Sequence, residues 1–287
     1  MVRADSDETF TTAAFGSEPG RWPLPAARTP RQLWLRAIAA GGQGRFASSH
    51  SDLAALLAAC PGGWLAAAAC VARASFLRQL GWHALARGWD GRAVALAGPN
   101  AADPETPELA EVRADALIGL AADALGMGRL AASAALLARG TGPDAAIAAS
   151  VGRVAVRRAW VTAELAMAAG DGATAVRHAE KALESADEMD AARSGAWLRH
   201  RIKSEVVLAA ALCCAGDVGR ARLLADATMA ATAREGLVPL QWATACLLAD
   251  LGSSAHRADQ IILIRDRCAD EVRRRGGRWA FPLSVHE

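Results

Sequence analysis

The residues in this chain most suited to a functional site are its tryptophans and its clustered basic side chains, and both types are suited to binding a partner. The 287 residues include nine Trp and five Phe but no Tyr. Indole and guanidinium groups are common anchors at binding surfaces. Basic clusters occur at 153–158 and at 199–203, each within an apolar helical pattern. If both clusters face one groove, an acidic peptide is the expected ligand.

Motifs for catalysis, metal binding and cofactor binding are missing from the sequence. It has no G-x-S-x-G elbow and no H-E-x-x-H pair, and its six Cys and six His lack the spacing of a zinc site. A site assembled from distant residues leaves no such trace, so an enzyme on a helical scaffold stays open as an alternative. The sequence predicts a protein that is not an enzyme and needs no metal or cofactor.

Two short motifs have simpler interpretations. The run 126–131 fits the G-x-G-x-x-A form of a dinucleotide fingerprint, which requires a preceding strand. Residues 116–125 are rich in Ala and Leu, as in a helix, so a turn between two helices is predicted. Cys213 and Cys214 are adjacent, which strains a disulfide in a helix, and they are interpreted as small packing residues.

The composition favours helices and a cytoplasmic protein. Apolar residues make up 53% of the chain and aromatic residues 5%, and alanine accounts for the difference. The net charge of +2 gives no reason to expect a nucleic-acid partner. Residues 54–72 carry no charge, but Pro61, Gly62 and Gly63 interrupt them, so two helices joined by a turn are predicted rather than a membrane span. Neither a membrane association nor a secretory signal is expected.

A glycine turn recurs along the chain, followed five residues later by a small residue. Spacings of 40 to 46 residues suit pairs of antiparallel helices, in which Gly ends the first helix and the small residue starts the second. The five instances are Gly44 with Ser49, Gly88 with Ala93, Gly128 with Ser133, Gly170 with Ala175, and Gly216 with Ala221. A looser sixth turn is predicted at Gly252.

The pattern resembles that of tetratricopeptide repeats over residues 30 to 275. The resemblance rests on Leu80-Gly81, Gly88 and Ala93 in one unit, and on the Gly-Asp turns at 170–171 and 216–217 in two others. It implies a right-handed α-solenoid of about five to six helical hairpins. Residues 29–279 are expected to form this domain, residues 1–28 a disordered N-terminal tail, and residues 280–287 a C-terminal tail.

In this family the first helix of each hairpin lines a concave groove that binds a segment of another protein. Counting back from each turn glycine places seven residues in that groove and predicts them as partner-binding residues: Trp34, Arg78, Trp82, Trp160, Glu164, Lys203 and Trp242. The alternative for the tryptophans is that they fill gaps in an alanine-rich core.

The expected function is therefore that of an interaction scaffold whose partner is a protein or peptide segment with acidic residues. A second hypothesis is a regulatory or sensory module that binds a small ligand or mediates oligomerisation in transcriptional control. A closed pocket containing perturbed titratable groups would favour an enzyme, and an open groove would favour the scaffold.

Overall fold

Helices are the regular secondary structure of the part of the chain that the structure describes. The structure is a computed structural model that describes residues 2–98, 106–139, 152–192 and 197–280. Side chains are described for all of these residues except 2–6 and 190–192. Within these ranges no strand occurs, and the predicted all-α class is confirmed. The helices are α1 (Val2–Phe15), α2 (Pro30–Gly42), α3 (Phe46–Ala59), α4 (Gly63–Gln79), α5 (His83–Leu96), α6 (Pro107–Gly126), α7 (Leu130–Arg139), α8 (Arg153–Ala168), α9 (Gly172–Ala192), α10 (Leu198–Cys214), α11 (Val218–Arg234), α12 (Val238–Leu251) and α13 (Ala258–Arg274).

Helices from α2 onward pack in consecutive antiparallel pairs, and the sequence sets where the pairs begin. The hydroxyl of Thr29 caps α2 with Pro30 in its first turn, and Thr106 caps α6 with Pro107 in the same way. Each first helix contacts its own partner and also the first helix of the next pair. The six first helices α2, α4, α6, α8, α10 and α12 therefore lie side by side in chain order.

Four of the five predicted turn glycines lie between the helices of a pair, but the second instance is wrong. Gly44, Gly128, Gly170 and Gly216 all have positive φ angles. Gly88 lies inside α5, and the turn before α5 is made by Gly81 with a φ of 88°. Ala86, five residues after Gly81, is fully buried, so the same signal is present seven residues earlier than expected.

Substitutions at these two glycines are expected to have opposite effects. Gly88→Ala should stabilise the protein by about 0.5–1 kcal/mol, because the position is helical and a Cβ there meets no other atom within 4 Å. Gly81→Ala should destabilise it by about 1–2 kcal/mol, because alanine strains the left-handed backbone. Chemical denaturation of both variants measures the two shifts, and a stabilising Gly81→Ala would contradict the position of the turn.

The N-terminal segment differs from the expected disordered tail. Helix α1 packs on α2, and Phe10, Ala13 and Ala14 are buried against Leu35 and Ala39. The many Pro, Gly and acidic residues of this segment suggested disorder, but the apolar spacing i, i+3, i+4 in α1 is that of a helix with one buried face. The predicted tail at 280–287 lies outside the described residues except for Ala280.

The first and last helix pairs contact each other. Phe46 at the start of α3 shares one buried cluster with Val238 of α12 and Val272 of α13. The backbone N–H of Ala47 donates to the carbonyl of Arg275 at 2.9 Å, and Nη1 of Arg275 donates to the carbonyl of Gln43 at 2.6 Å. The array of pairs therefore closes on itself, and the first helices surround a common interior.

Residues 60–62 separate α3 from α4, so the uncharged segment at 54–72 contains the predicted break, with Pro61 and Gly62 in it and Gly63 as the first residue of α4. None of the described helices is long and apolar enough to cross a membrane.

Candidate functional site: a cavity between the first helices

A cavity of about 520 Å³ lies between the first helices. All six of them contribute side chains to its wall, and Phe15 at the end of α1 adds one more. Apolar side chains come from all six first helices, whereas most of the charged side chains come from α8 and α10.

Six of the seven residues predicted for the groove line this cavity: Trp34, Arg78, Trp160, Glu164, Lys203 and Trp242. Trp82 does not, because α4 ends at Gln79 and Trp82 lies in the following turn. Its indole N–H instead donates to the carbonyl of Arg278 at 2.6 Å, and its ring packs on the cluster that joins the first and last pairs. Trp82 is therefore a structural contact of the C-terminal segment.

The apolar wall is built around Trp34 and Trp242. Trp34 contacts the rings of Phe15 and Trp64 at centroid distances of 5.5 and 6.0 Å, and Trp242 lies 4.3 Å from the ring of Trp279. Within the described residues, neither Nε1 of Trp34 nor Nε1 of Trp242 has a hydrogen-bond partner, although both atoms are buried. Unsatisfied buried donors are uncommon in folded proteins, and these two lie on side chains that line the cavity.

Helix α8 brings two arginines onto one carboxylate of α6. Arg153 Nη1 donates to Asp115 Oδ2 at 2.6 Å, and Arg157 forms an ion pair with the other oxygen of Asp115. Arg153 and Arg157 are one helical turn apart, so both reach the same neighbour. Burial lowers the pKa of Arg157 to about 10, and the positive charge of Arg78 adds to this. Both guanidinium groups are held in place at the cavity wall, and Arg157 stays charged at neutral pH.

Helix α10 contributes Arg199, His200 and Lys203 to the same wall. Arg199 Nη1 reaches across the cavity to α2 and donates to the carbonyl of Ile38 at 2.9 Å. Burial lowers the pKa of Arg199 to about 10, with a further contribution from Arg153. Burial also holds the pKa of His200 well below its usual value, and four surrounding cations add to the shift. His200 is therefore neutral at pH 7 in a strongly positive environment.

Trp160 packs against two of these side chains, His200 and Lys203. Its ring stacks on that of His200 at 5.6 Å, and the Nζ atom of Lys203 lies 4.6 Å from its centroid. Its Nε1 donates to the hydroxyl of Ser204 at 2.8 Å, and the side chain is 6% exposed. Trp160 therefore belongs to the core as well as to the cavity wall, which combines the two roles that the sequence left open.

A second charged cluster lies at the edge of the cavity, where one arginine serves two buried carboxylates. Arg78 Nε donates to Asp123 Oδ1 at 2.8 Å, and its Nη2 forms an ion pair with Asp90. Both carboxylates are fully buried, and Gly119 packs so closely on Asp90 that any side chain there would overlap it. Burial raises the pKa of Asp90 to about 7, and the charge of Asp123 raises it further, against the opposing effect of Arg78.

The raised pKa of Asp90 predicts that the protein loses stability as the pH rises towards 7. Asp90 releases its proton near pH 3.8 in the unfolded chain but keeps it up to about pH 7 in the folded protein. Between these two pKa values the free energy of unfolding therefore falls as the pH rises. The Asp90→Asn variant lacks this titration. Its free energy of unfolding should therefore fall less between pH 5 and pH 8 than that of the wild type. Parallel urea titrations at both pH values measure the difference, and equal changes in the two proteins would contradict it.

Sequence reasoning identified the basic clusters but did not separate the residues that face the cavity from those that do not. Arg153, Arg157, Arg199 and Lys203 line the cavity, whereas Arg201 is half exposed and pairs with Asp187 and Glu205. The helical spacing 153, 157, 160, 164 was the available signal, because it places those four residues on one face. The role of Asp115 carried no signal in the sequence.

Among the described residues, no group of His, Cys, Asp and Glu is arranged to hold a metal ion. The glycines at 126 and 128 lie at the end of α6 and in the turn after it, so the element before the motif is a helix and not the strand that a dinucleotide site requires.

No protein-family model matches the chain, and no curated protein is similar enough to be matched to it.

Proposed function

We propose that this protein is a binding module, built as a right-handed tetratricopeptide-like solenoid, whose central cavity receives a small ligand. The observation that supports this most is that all six first helices line one cavity of about 520 Å³ between array ends that touch. Pockets for small molecules typically have volumes of roughly 300–1,000 Å³. An interior of this size suits a small molecule better than it suits a segment of a folded partner.

The size of the cavity favours a small ligand over a helical segment, because about 520 Å³ lies within the range of small-molecule pockets. The protein-scaffold hypothesis stays a prediction in a narrower form, in which the acidic end of an extended peptide enters the cavity. The basic groups at 153, 157, 199 and 203 favour this second candidate.

We propose binding rather than catalysis, although the cavity contains the perturbed titratable groups that favour an enzyme. Most of the perturbed groups are cations, and Arg157 and Arg199 with pKa values of about 10 stay protonated at neutral pH. Asp90, the carboxyl with a pKa near neutrality, is fully buried behind Arg78 and is not part of the cavity wall. Permanently charged groups hold a ligand but do not exchange protons with it.

Filling the cavity tests the proposal. N-phenyl-1-naphthylamine, a neutral aromatic probe that fluoresces in apolar surroundings, should bind the wild type with a stoichiometry of one. Ala243→Trp adds an indole to the cavity wall and should weaken binding at least tenfold, whereas Leu223→Trp, at a side chain that is 64% exposed, should leave it unchanged. Fluorescence titration measures all three. Equal binding by the three proteins, or none by the wild type, would overturn the proposal.

A further inference from the structure

The cavity carries more positive than negative charge on one side. Helices α8 and α10 contribute four cations to the lining, Arg153, Arg157, Arg199 and Lys203, whereas the lining carboxylates near them are Asp115 and Glu164. Glu111 also reaches Arg153 at 3.3 Å, but its side chain is about half exposed and therefore screened by water. Arg78 is balanced separately by Asp90 and Asp123. The excess positive charge lies on the α8–α10 side of the cavity.

Two of these cations lack a carboxylate partner. Within the described part of the chain, Arg199 bonds to the backbone carbonyl of Ile38 and Lys203 lies over the ring of Trp160, and neither forms an ion pair. Burying a cation without an anion costs free energy. Burial and neighbouring positive charges lower the pKa values of Arg199 and His200. Burial also lowers the pKa of Lys203, and the nearby charge of Glu164 offsets only part of that shift. An anion in the cavity would relieve this repulsion.

The cationic groups are also fixed before any ligand arrives. Asp115 holds Arg153 and Arg157, the carbonyl of Ile38 holds Arg199, and Gly42 leaves the space that the guanidinium of Arg199 occupies. Side chains held in this way lose little conformational freedom when an anion binds. Guanidinium groups match the geometry of carboxylate and phosphate oxygens.

The cavity wall also offers apolar surface beside these cations. Trp34, Phe76 and Trp242 line it and present aromatic rings to the interior. A ligand that uses both features carries an anionic group on a flat apolar body.

Building on the proposed function, we propose that the cavity binds a small oxyanion, a carboxylate or a phosphate monoester, carried on a flat apolar body. The anionic group lies at Arg157, Arg199 and Lys203, and the body lies against Trp34 and Trp242. The shared chemistry of the two kinds of ligand is an oxygen anion that accepts charge-assisted hydrogen bonds, which are roughly twice as strong as neutral ones.

A matched pair of probes tests the inference. 8-Anilinonaphthalene-1-sulfonate has the ring system of N-phenyl-1-naphthylamine with an added sulfonate, so comparing their dissociation constants isolates the anionic group. The sulfonate probe should bind the wild type about tenfold more tightly or better. Arg199→Gln and Lys203→Met should each abolish most of that advantage, weakening the sulfonate probe far more than the neutral probe. Arg201→Gln removes the same charge from an outward-facing position of α10 and serves as the control. Displacement of the sulfonate probe by 1-naphthoate or by 1-naphthyl phosphate then shows which oxyanion is preferred.

The outcomes separate the two proposals. Equal affinity for both probes, with no effect of Arg199→Gln or Lys203→Met, would overturn the anion site and leave the cavity as a neutral binding site. Failure of both probes to bind would overturn the cavity proposal as well. Circular dichroism verifies that each variant is folded, and Lys203→Met carries the test if Arg199→Gln is not, since Lys203 donates no hydrogen bond to another described residue. Sulfonate binding that persists in Ala243→Trp would place the probe on the outer surface and contradict the inference.

Discussion

Arg78→Met is expected to destabilise the folded protein by about 3–5 kcal/mol, because it removes one partner of a buried ion cluster. Methionine matches the length of the arginine stem but leaves Asp90 and Asp123 buried with no guanidinium between them. The cost comes mainly from the uncompensated carboxylates and not from the lost contacts themselves. Urea denaturation at pH 7 measures the change in free energy of unfolding.

Arg87→Met is the matched control for this substitution. Arg87 is exposed on α5, and a surface substitution there should change stability by no more than about 0.5 kcal/mol. Adding Asp90→Asn to Arg78→Met should recover part of the loss, because it removes the charge that the first substitution left unpaired. A loss of less than about 1 kcal/mol in Arg78→Met, as for an exposed pair, would contradict a buried cluster.

Phe46→Ala is expected to cost about 3–5 kcal/mol, the usual range for truncating a buried aromatic ring. Phe46 is fully buried, lies 5.9 Å from the ring of Phe76, and packs against Val238 and Val272 of the last helix pair. The substitution therefore leaves a hole at the place where the two ends of the array meet. Chemical denaturation measures the loss of stability.

The control for Phe46→Ala is Leu85→Ala, which truncates a side chain that is 55% exposed on α5 and should change stability by no more than about 0.5 kcal/mol. Phe46→Ala should also weaken binding of N-phenyl-1-naphthylamine, because the loosened contact lets the cavity open. A variant as stable as Leu85→Ala would show that the array ends are not packed on each other.

The repeat could be predicted from the sequence because its signal is local. A glycine in the left-handed conformation and a buried small residue five positions later are visible in the chain itself, as at Gly170 and Ala175. Where glycines are frequent, as at Gly81 and Gly88, this signal does not determine which glycine makes the turn. A slip of seven residues is close to two helical turns, so Arg78 was still placed on the correct face of α4, while Trp82 was placed past its end.

The closure of the array could not be predicted, because it depends on small angles between successive helix pairs that accumulate along the chain. The contact of Phe46 with Val272 joins residues 226 positions apart and has no local signature. The burial of Asp90, Asp115 and Asp123 also has no local signature, because each occurs in an ordinary helical sequence. Arginines from other helices form ion pairs with them in the folded protein. The sequence indicated that basic and aromatic residues face one interior, and packing determined that the interior is a cavity.

A crystal structure of the protein grown with N-phenyl-1-naphthylamine tests most directly whether the cavity binds ligands. We expect one bound molecule inside the cavity, with its naphthyl ring between Trp34, Phe76 and Trp242. The probe bound only on the outer surface, or an empty cavity in crystals that hold the probe elsewhere, would contradict a ligand-binding function for this cavity.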